Sequence, residues 1–346
     1  MSKPESSAIS AIGIDVAKAT LSVCFRRPKA DESALTLHNT DIDIRKKLLP
    51  CLDGFTGRIV MESTGHYHWR VALILTEAGY KVFVVNPILA KQYTSSNIRK
   101  VKTDPADASG LARMAELADN LPRCFALTRE TLDLRKKLSV IASIAKQMQA
   151  LKATQRQLTE GHEILRTGAS KGEDALDATI KQLTKTADLL EDEFVKESAA
   201  LETDSTAAAL IDGIPGVSPF VAHLVLHWLA VLPDITAKSW IGYAGLDVSS
   251  RESGSWHGRC RLTKRGNSFL RRRLYSAAWG ATMSDENFQI YYKQMRVDGR
   301  PHVEALLIIA RKIVRIMFKL LETKKKYDPS LFTFGKKTKL TLDAAL

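Results

Sequence analysis

Several things are scarce in this 346-residue chain, and each shortage excludes a class of protein. Its four cysteines, Cys24, Cys51, Cys124 and Cys260, are scattered without a CxxC pair. That excludes a disulfide framework and a zinc finger, and leaves thiols expected to be buried in a reducing compartment. The longest apolar run, Leu224 to Leu232, is nine residues interrupted by His227. A bilayer-spanning helix needs ~20, so no membrane segment is expected. The opening residues MSKPESSAIS have neither the basic-then-apolar order nor the cleavage site of a secretory signal, and no lipidation box is present; the expected location is the cytoplasm. No GxxxxGK[ST] loop occurs, which argues against nucleotide-driven chemistry. Proline is missing altogether from Ala126 to Ile214, a stretch free of helix breakers.

What is abundant is positive charge, and it is unevenly spread. Lys and Arg number 51 against 38 Asp and Glu, a net +13. Residues 211–346 alone hold 22 basic and 11 acidic side chains, whereas 126–210 hold 12 and 14. A domain this basic is built for a polyanion, because each cation that neutralises a phosphate releases condensed counterions. The alternative is a merely solubilising surface.

Pattern divides the chain into three parts, 1–125, 126–205 and 206–346. In the first, β-prone runs at Ile9 to Asp15, Thr20 to Arg26, Ala34 to His38, Arg58 to Met61 and Lys81 to Val85 alternate with helical patterns at Asp41 to Leu52, His66 to Gly79 and Asp104 to Leu117. That order describes an α/β domain with a mixed sheet. In the second, Leu134, Leu138, Ile141, Ala145 and Met148 step by four and three, as do Leu176, Ile180, Leu183, Ala187, Leu190 and Phe194. The spacing predicts a coiled-coil hairpin, either an intermolecular seam or a bundle within one monomer. The third part is mainly helical. It opens with Gly213-Ile214-Pro215-Gly216, a turn of helix-hairpin-helix shape whose N–H groups could hold a backbone phosphate, and a Ser- and Gly-rich loop runs to Gly258.

Two constellations carry chemistry. Asp15 ends one strand, Glu62 ends another, and Asp104 and Asp107 open a helix in KTDPADA. Carboxylates at strand ends with an i, i+3 pair on a helix are a donor set for two Mg²⁺ ions working on phosphate oxygens, although a cap at Asp104 and a turn at Asp15 would explain each piece separately. The other is Ser253, set among Arg251, Arg259, Arg261, Lys264, Arg265, Arg271, Arg272 and Arg273 with Glu252 as the one acid of that stretch. A serine nucleophile needs activation and a cationic surround for the phosphorane it would create; a phosphate-gripping loop is the plainer reading. His223 and His227 stand at i, i+4 but lack the glutamate of a zinc protease motif, and are read as packed or surface histidines.

The segments GIDVAK, MESTGHYHW, VNPILAKQY, KVKTDPADA and AGLDVSSRESGSWHGRCRLTKRGNSFLRRRLYSAAW, covering about residues 9 to 325, closely resemble the DEDD-type insertion-sequence transposases, the group called IS one-ten. The resemblance implies a RuvC-like domain of RNase H type, with Asp15, Glu62, Asp104 and Asp107 binding Mg²⁺. It implies that Ser253 attacks DNA to form a phosphoserine link, with Ser249, Ser250 and Ser255 as close neighbours, and that the basic segment with Asn267 grips nucleic-acid backbone. It further implies element and target DNA as partners, a structured guide called bridge RNA, and a homo-oligomer, dimer or tetramer, assembled through the coiled coil so that one subunit's metal site serves another's serine. A nucleoid-associated location follows. The rival expectation is a Holliday-junction-type endonuclease using the four acids and water.

Overall fold

The computed structural model describes residues 9–27, 32–94, 104–119, 121–122, 124–202, 206–232, 235–249, 252–253, 256–257, 261–264 and 266–331. They fall into two compact units, Met1–Leu132 and Asp133–Leu346.

The first unit is built on five strands, β1 (Ala11–Val16), β2 (Thr20–Arg26), β3 (Ser33–His38), β4 (Arg58–Glu62) and β5 (Lys81–Val85), in the order β3-β2-β1-β4-β5. β1, β2 and β3 pair antiparallel, while β1–β4 and β4–β5 are parallel. This is the mixed sheet expected of the α/β domain. The helix expected over 41–52 is irregular: α1 (Asp41–Asp43), capped by the Thr40 hydroxyl, continues into a π turn (Ile44–Leu48) and a 3-10 turn (Leu49–Leu52). Pro50, with no N–H to give, falls in that last turn. α2 (His68–Glu77) covers one face, packing Val71, Ala72, Ile74 and Leu75 with Ile12, Ile14, Ile59 and Met61. α3 (Pro87–Thr94) is an addition to the expected elements; Pro87 takes the first helical position and the Asn86 carbonyl accepts from the N–H groups of Leu89 and Ala90. α4 (Asp104–Leu117) covers the other face.

The second unit is mainly helical. α5 (Arg129–Leu165) begins in the first unit, and its pairing with α6 (Lys171–Leu201) is antiparallel. Lys137 binds Glu193 and Glu197, Gln155 binds Asp177, and His162 binds Glu173, so contacts near one end of α5 match the opposite end of α6. Ser170 and Glu173 close a capping box at the start of α6. Ile180, Ala187 and Phe194 of α6 are buried at seven-residue spacing, and Leu134, Leu138, Ile141 and Phe194 join the unit's main core.

That core is completed by α7 (Thr206–Asp212), α8 (Pro219–Val231), α9 (Ala237–Tyr243), α10 (Ser268–Ser284), α11 (Glu286–Val297) and α12 (His302–Thr323). The Gly213–Gly216 turn joins α7 to α8 and rests on α10. Gly216 has φ +76°, and a Cβ there would lie 2.1 Å from the Ala281 nitrogen, so only glycine lets the turn approach so closely. His223 and His227 are both buried: His223 Nδ1 is 2.7 Å from Glu202, and His227 packs its ring on Phe194 and Trp228. Burial, and then the nearby Arg135 charge, push the His227 pKa down to about 4, so this side chain is a neutral core group.

The cysteine expectation holds for one thiol. Cys24 is buried and its pKa is pushed up to about 12, first by burial and then by Glu32, whereas Cys51 and Cys124 are exposed, and Cys260 lies outside the described residues. Cys51 sits on the outer side of the 3-10 turn, and Cys124 lies at the sheet edge, where Phe83 forms an isolated bridge with it.

Candidate active site and nucleic-acid interface

Side chains alternate along a strand, so the face each carboxylate occupies can be read from its neighbours. On β1, Ile12, Ile14 and Val16 enter the core under α2, while Ala11 packs in the cluster under α4. Gly13 and Asp15 therefore lie on the α4 face. On β4, Ile59 and Met61 point toward α2 and Val60 toward α4, which puts Glu62 on the α4 face as well. Because β1 and β4 are parallel with Ile14 opposite Met61, Asp15 and Glu62 finish adjacent strands at the same end of the sheet.

α4 runs antiparallel to these strands, fixed by a clamp at its C-terminal end. Glu116 accepts from the Ser10 hydroxyl at 3.1 Å and from Arg26 Nε at 2.5 Å, while Arg58 donates to the carbonyls of Ala118 and Glu116, both at 2.8 Å. Ser10 and Arg58 mark the starts of β1 and β4. The first turn of α4, opened by Asp104 and containing half-buried Asp107, is thus carried to the strand ends that hold Asp15 and Glu62. Among the described residues no three acidic, His or Cys side chains already form a metal-holding group; the Asp104 side chain is not among those described. The clamp residues Arg26, Arg58 and Glu116 are absent from the sequence-based site, since nothing local in their spacing says that they meet.

Gly13 makes this arrangement possible. A Cβ there would lie 2.1 Å from the Ala108 carbonyl oxygen and 2.2 Å from the Ala112 nitrogen, so the α4 backbone sits directly on β1. Gly13→Ala is expected to drive α4 outward, destabilising the protein by ~3 kcal/mol, the upper end of overpacking costs. Chemical denaturation will measure this loss, and the same variant should cleave DNA more slowly because the two pairs of acids separate.

Ser253 belongs to the second unit. Val248–Ser249 (β6) pairs with Arg261–Leu262 (β9), and Glu252–Ser253 (β7) pairs with Trp256–His257 (β8), both antiparallel. The expected Ser- and Gly-rich loop is therefore a two-stranded ribbon where it is described, with Ser253 at its distal end opposite Trp256. The ribbon is rooted by the Thr263 N–H on the Asp247 carbonyl (3.1 Å) and by the Thr263 hydroxyl on the Asp247 carboxylate. Arg251, Arg259 and Arg265 lie outside the described residues, and of Ser253 and Arg261 only the backbone is described.

Asn267 and the three arginines that follow it have intramolecular partners. Asn267 caps α10, its Oδ1 accepting from the N–H groups of Phe269 and Leu270 at 3.0 and 3.1 Å. Arg271 donates to the Ala244 carbonyl (3.2 Å) and Arg272 to the Ala145 carbonyl on α5 (3.2 Å). Arg273 pairs with Glu191 on α6 and lies over the rings of Phe220 and Phe269, 4.9 and 5.1 Å from their centroids. Lys264 is exposed with φ +53°.

Two family models match successive stretches of the chain. A DEDD transposase model of the IS110 type covers residues 12–163, and one described as transposase of the IS116/IS110/IS902 family covers 208–293. Together they span more than half of the chain. The chain belongs to the IS116/IS110/IS902 family of transposases. The transposase is 25% identical over 326 residues to the pilin gene-inverting protein of Moraxella lacunata, spanning 92% of this chain and 97% of that one. It is 29% identical over 127 residues to the insertion element IS116 uncharacterized 44.8 kDa protein of Streptomyces clavuligerus, 36% of this chain and 31% of that one. Transposases of this family cleave and rejoin DNA, so the chain is an enzyme. Thermus thermophilus RuvC, 16% identical, covers 32% of this transposase and 98% of its own chain with a TM-score of 0.25, too low to add to the strand order. No helix among the described residues is long and apolar enough to cross a membrane.

Proposed function

We propose that this transposase is a site-specific recombinase that excises and inserts its own mobile element, guided by a structured bridge RNA, through a phosphoserine intermediate. The observation that carries the reading is the gathering of Asp15, Glu62 and the acidic first turn of α4 at one end of the sheet. All four donors are hard carboxylate oxygens, which fit Mg²⁺. When bound, the ion supplies charge to neutralise the reacting phosphate and lowers the pKa of an attacking hydroxyl.

The remaining work falls to the chain. Ser253 Oγ forms a bond to phosphorus, one P–O bond to the neighbouring deoxyribose breaks, and the serine proton ends on the leaving oxygen. One phosphodiester replaces another, so rejoining needs no nucleotide, in keeping with the missing phosphate-binding loop. The relatives named as gene-inverting proteins act on DNA by inversion, which supports strand exchange in preference to simple cutting. On this reading 1–125 is the metal-binding domain, 126–205 a coiled-coil arm that assembles the oligomer, and 206–346 the DNA-gripping domain. Delegating sequence choice to a guide suits basic side chains that meet phosphate and not base edges.

The test is to incubate the transposase with supercoiled element DNA in Mg²⁺ or EDTA, denature, and map any covalent protein–DNA species by mass. An adduct on Ser253 that forms in Mg²⁺ and vanishes in EDTA is expected. Cleavage without any adduct would identify water as the nucleophile and the Holliday-junction type of endonuclease as the function. RNA recovered with the purified protein tests the guide separately.

A further inference from the structure

One side of α4 is strapped to the sheet by residues that the four acids leave unused. Side chains recur on one side of a helix at four- and seven-residue spacing, which separates two sides of α4. Asp107, Leu111 and Met114 share the first, and Leu111 and Met114 pack with Val60 of β4 and Val85 of β5. Asp107 therefore lies on the side of α4 that faces β4, the strand that Glu62 ends. Ala108 and Ala112 come next around the helix and pack on Cys24 of β2. Ser109 and Glu116 stand beyond them, on the side away from Asp107.

Glu32, the residue before β3, is the hub of the strap. Ser109 Oγ donates to its Oε2 at 2.6 Å, Cys24 Sγ donates to the same oxygen at 3.4 Å, and Arg26 Nη1 donates to Oε1 at 2.6 Å. Arg26 also donates through Nε to Glu116, so one guanidinium joins two carboxylates and ties both ends of that side of the helix to β2. Burial works against charge on Glu32, but the bonds from Ser109, Cys24 and Arg26 outweigh it and hold the carboxyl below its usual range. Glu116 and Arg58 fix the C-terminal end of α4, whereas Glu32 acts two residues from Asp107. If Ser109 rises from β2, α4 rolls about its axis and Asp107 turns relative to β4.

We propose that Glu32 is a positioning residue for the metal site: by holding Ser109, and Glu116 through Arg26, it sets the roll of α4 and with it the place of Asp107 relative to Glu62. The proposal rests on the reading that the four acids hold Mg²⁺. Partners that orient metal ligands change metal affinity or activity by about 10- to 100-fold when they are removed. A partly exposed ion pair such as Glu32 with Arg26 adds little to stability, so the effect should fall on the site and not on the fold.

The test titrates Mn²⁺, a spectroscopic stand-in for Mg²⁺, into the full-length protein without DNA and follows the free ion by electron paramagnetic resonance. Glu32→Ala is expected to weaken Mn²⁺ binding about tenfold with little change in metal-free melting. Glu32→Gln, which keeps an acceptor for Ser109, should recover part of the loss. Ser109→Ala should reproduce most of it, and adding Glu32→Ala to that variant should cost little more, because the two act through one bond. Mn²⁺ affinity unchanged in Glu32→Ala, with or without a lowered melting temperature, would overturn the proposal and leave Glu32 a purely structural residue. Fully additive losses in the double variant would overturn it as well. A wild type that binds no Mn²⁺, or whose binding survives Asp15→Asn combined with Glu62→Gln, removes the metal-site reading itself. That result is distinct from binding that those two substitutions abolish and Glu32→Ala leaves intact.

Discussion

Asp15→Asn is expected to slow DNA strand cleavage by about three orders of magnitude while changing DNA affinity by less than about threefold. The substitution keeps the size of the side chain and removes its charge. Asp15 lies on the last turn of pleat before β1 ends, half-buried and on the α4 face, so the register with β2 and β4 should survive. What is lost is one anionic donor of a set that includes Glu62 and the acids of α4. Charge stabilisation by a bound ion is worth several kcal/mol, and ~4 kcal/mol corresponds to about 10³ in rate. Glu62→Gln should behave in the same way. Without metal, gathering carboxylates at one sheet end is unfavourable, so Asp15→Asn should leave the melting temperature unchanged or raise it. Single-turnover cleavage, duplex binding and thermal melting check the three statements, and Asp53→Asn on an exposed turn serves as the control that should do nothing. A rate loss matched by an equal loss of binding would show that Asp15 serves the fold and not the chemistry.

The elements that carry these acids were legible because their signals are local. β1, β2, β4 and β5 are short apolar runs, and Asp104-Pro105 opens α4 at the expected residue. Period-two alternation even gives the face on which Asp15 and Glu62 stand. α3 could have been found from Asn86-Pro87, a cap followed by a first-position proline, but its single charged residue and short length blur the pattern. The ribbon was hidden for a different reason: its strands pair two residues at a time within a Ser- and Gly-rich segment that has no hydrophobic alternation to display.

Charge counting was the least informative guide to residue roles. It marks the C-terminal region as basic, yet says nothing about where each guanidinium goes. Arg273, the last of the arginine run, reaches Glu191 from 82 residues away and is shielded by two aromatic rings. Arg311 and Lys312 are partly buried beside exposed Arg315, which the packing around α12 shows and their count does not. Close backbone approaches have the same character. Gly266, whose Cβ would come within 1.9 Å of the Tyr243 carbonyl oxygen, is one glycine in a segment rich in them until α9 is in place beside it.

Ser253→Ala should abolish the covalent protein–DNA species and reduce strand cleavage by at least about 10⁴-fold, the scale on which removing a nucleophile acts when no substitute is positioned. Binding of element DNA should be unchanged, because the lost hydroxyl is one donor among many backbone contacts. Folding should also be unaffected. Ser253 pairs through its backbone with Trp256 at the far end of a ribbon whose root is held by Asp247 and Thr263, and alanine keeps those N–H and C=O groups. The alternatives leave different traces. If the adduct persists and maps to Ser249, Ser250 or Ser255, the nucleophile is a neighbour and the ribbon still performs the attack. If cleavage persists without adduct, the carboxylates act with water. Ser253→Cys sharpens the distinction, since a thiol can attack phosphorus and the resulting sulfur–phosphorus link is separable by mass from the serine ester. Its appearance at residue 253, together with the empty result for alanine, would place the reacting atom at Ser253, on the strand β7 that pairs with β8.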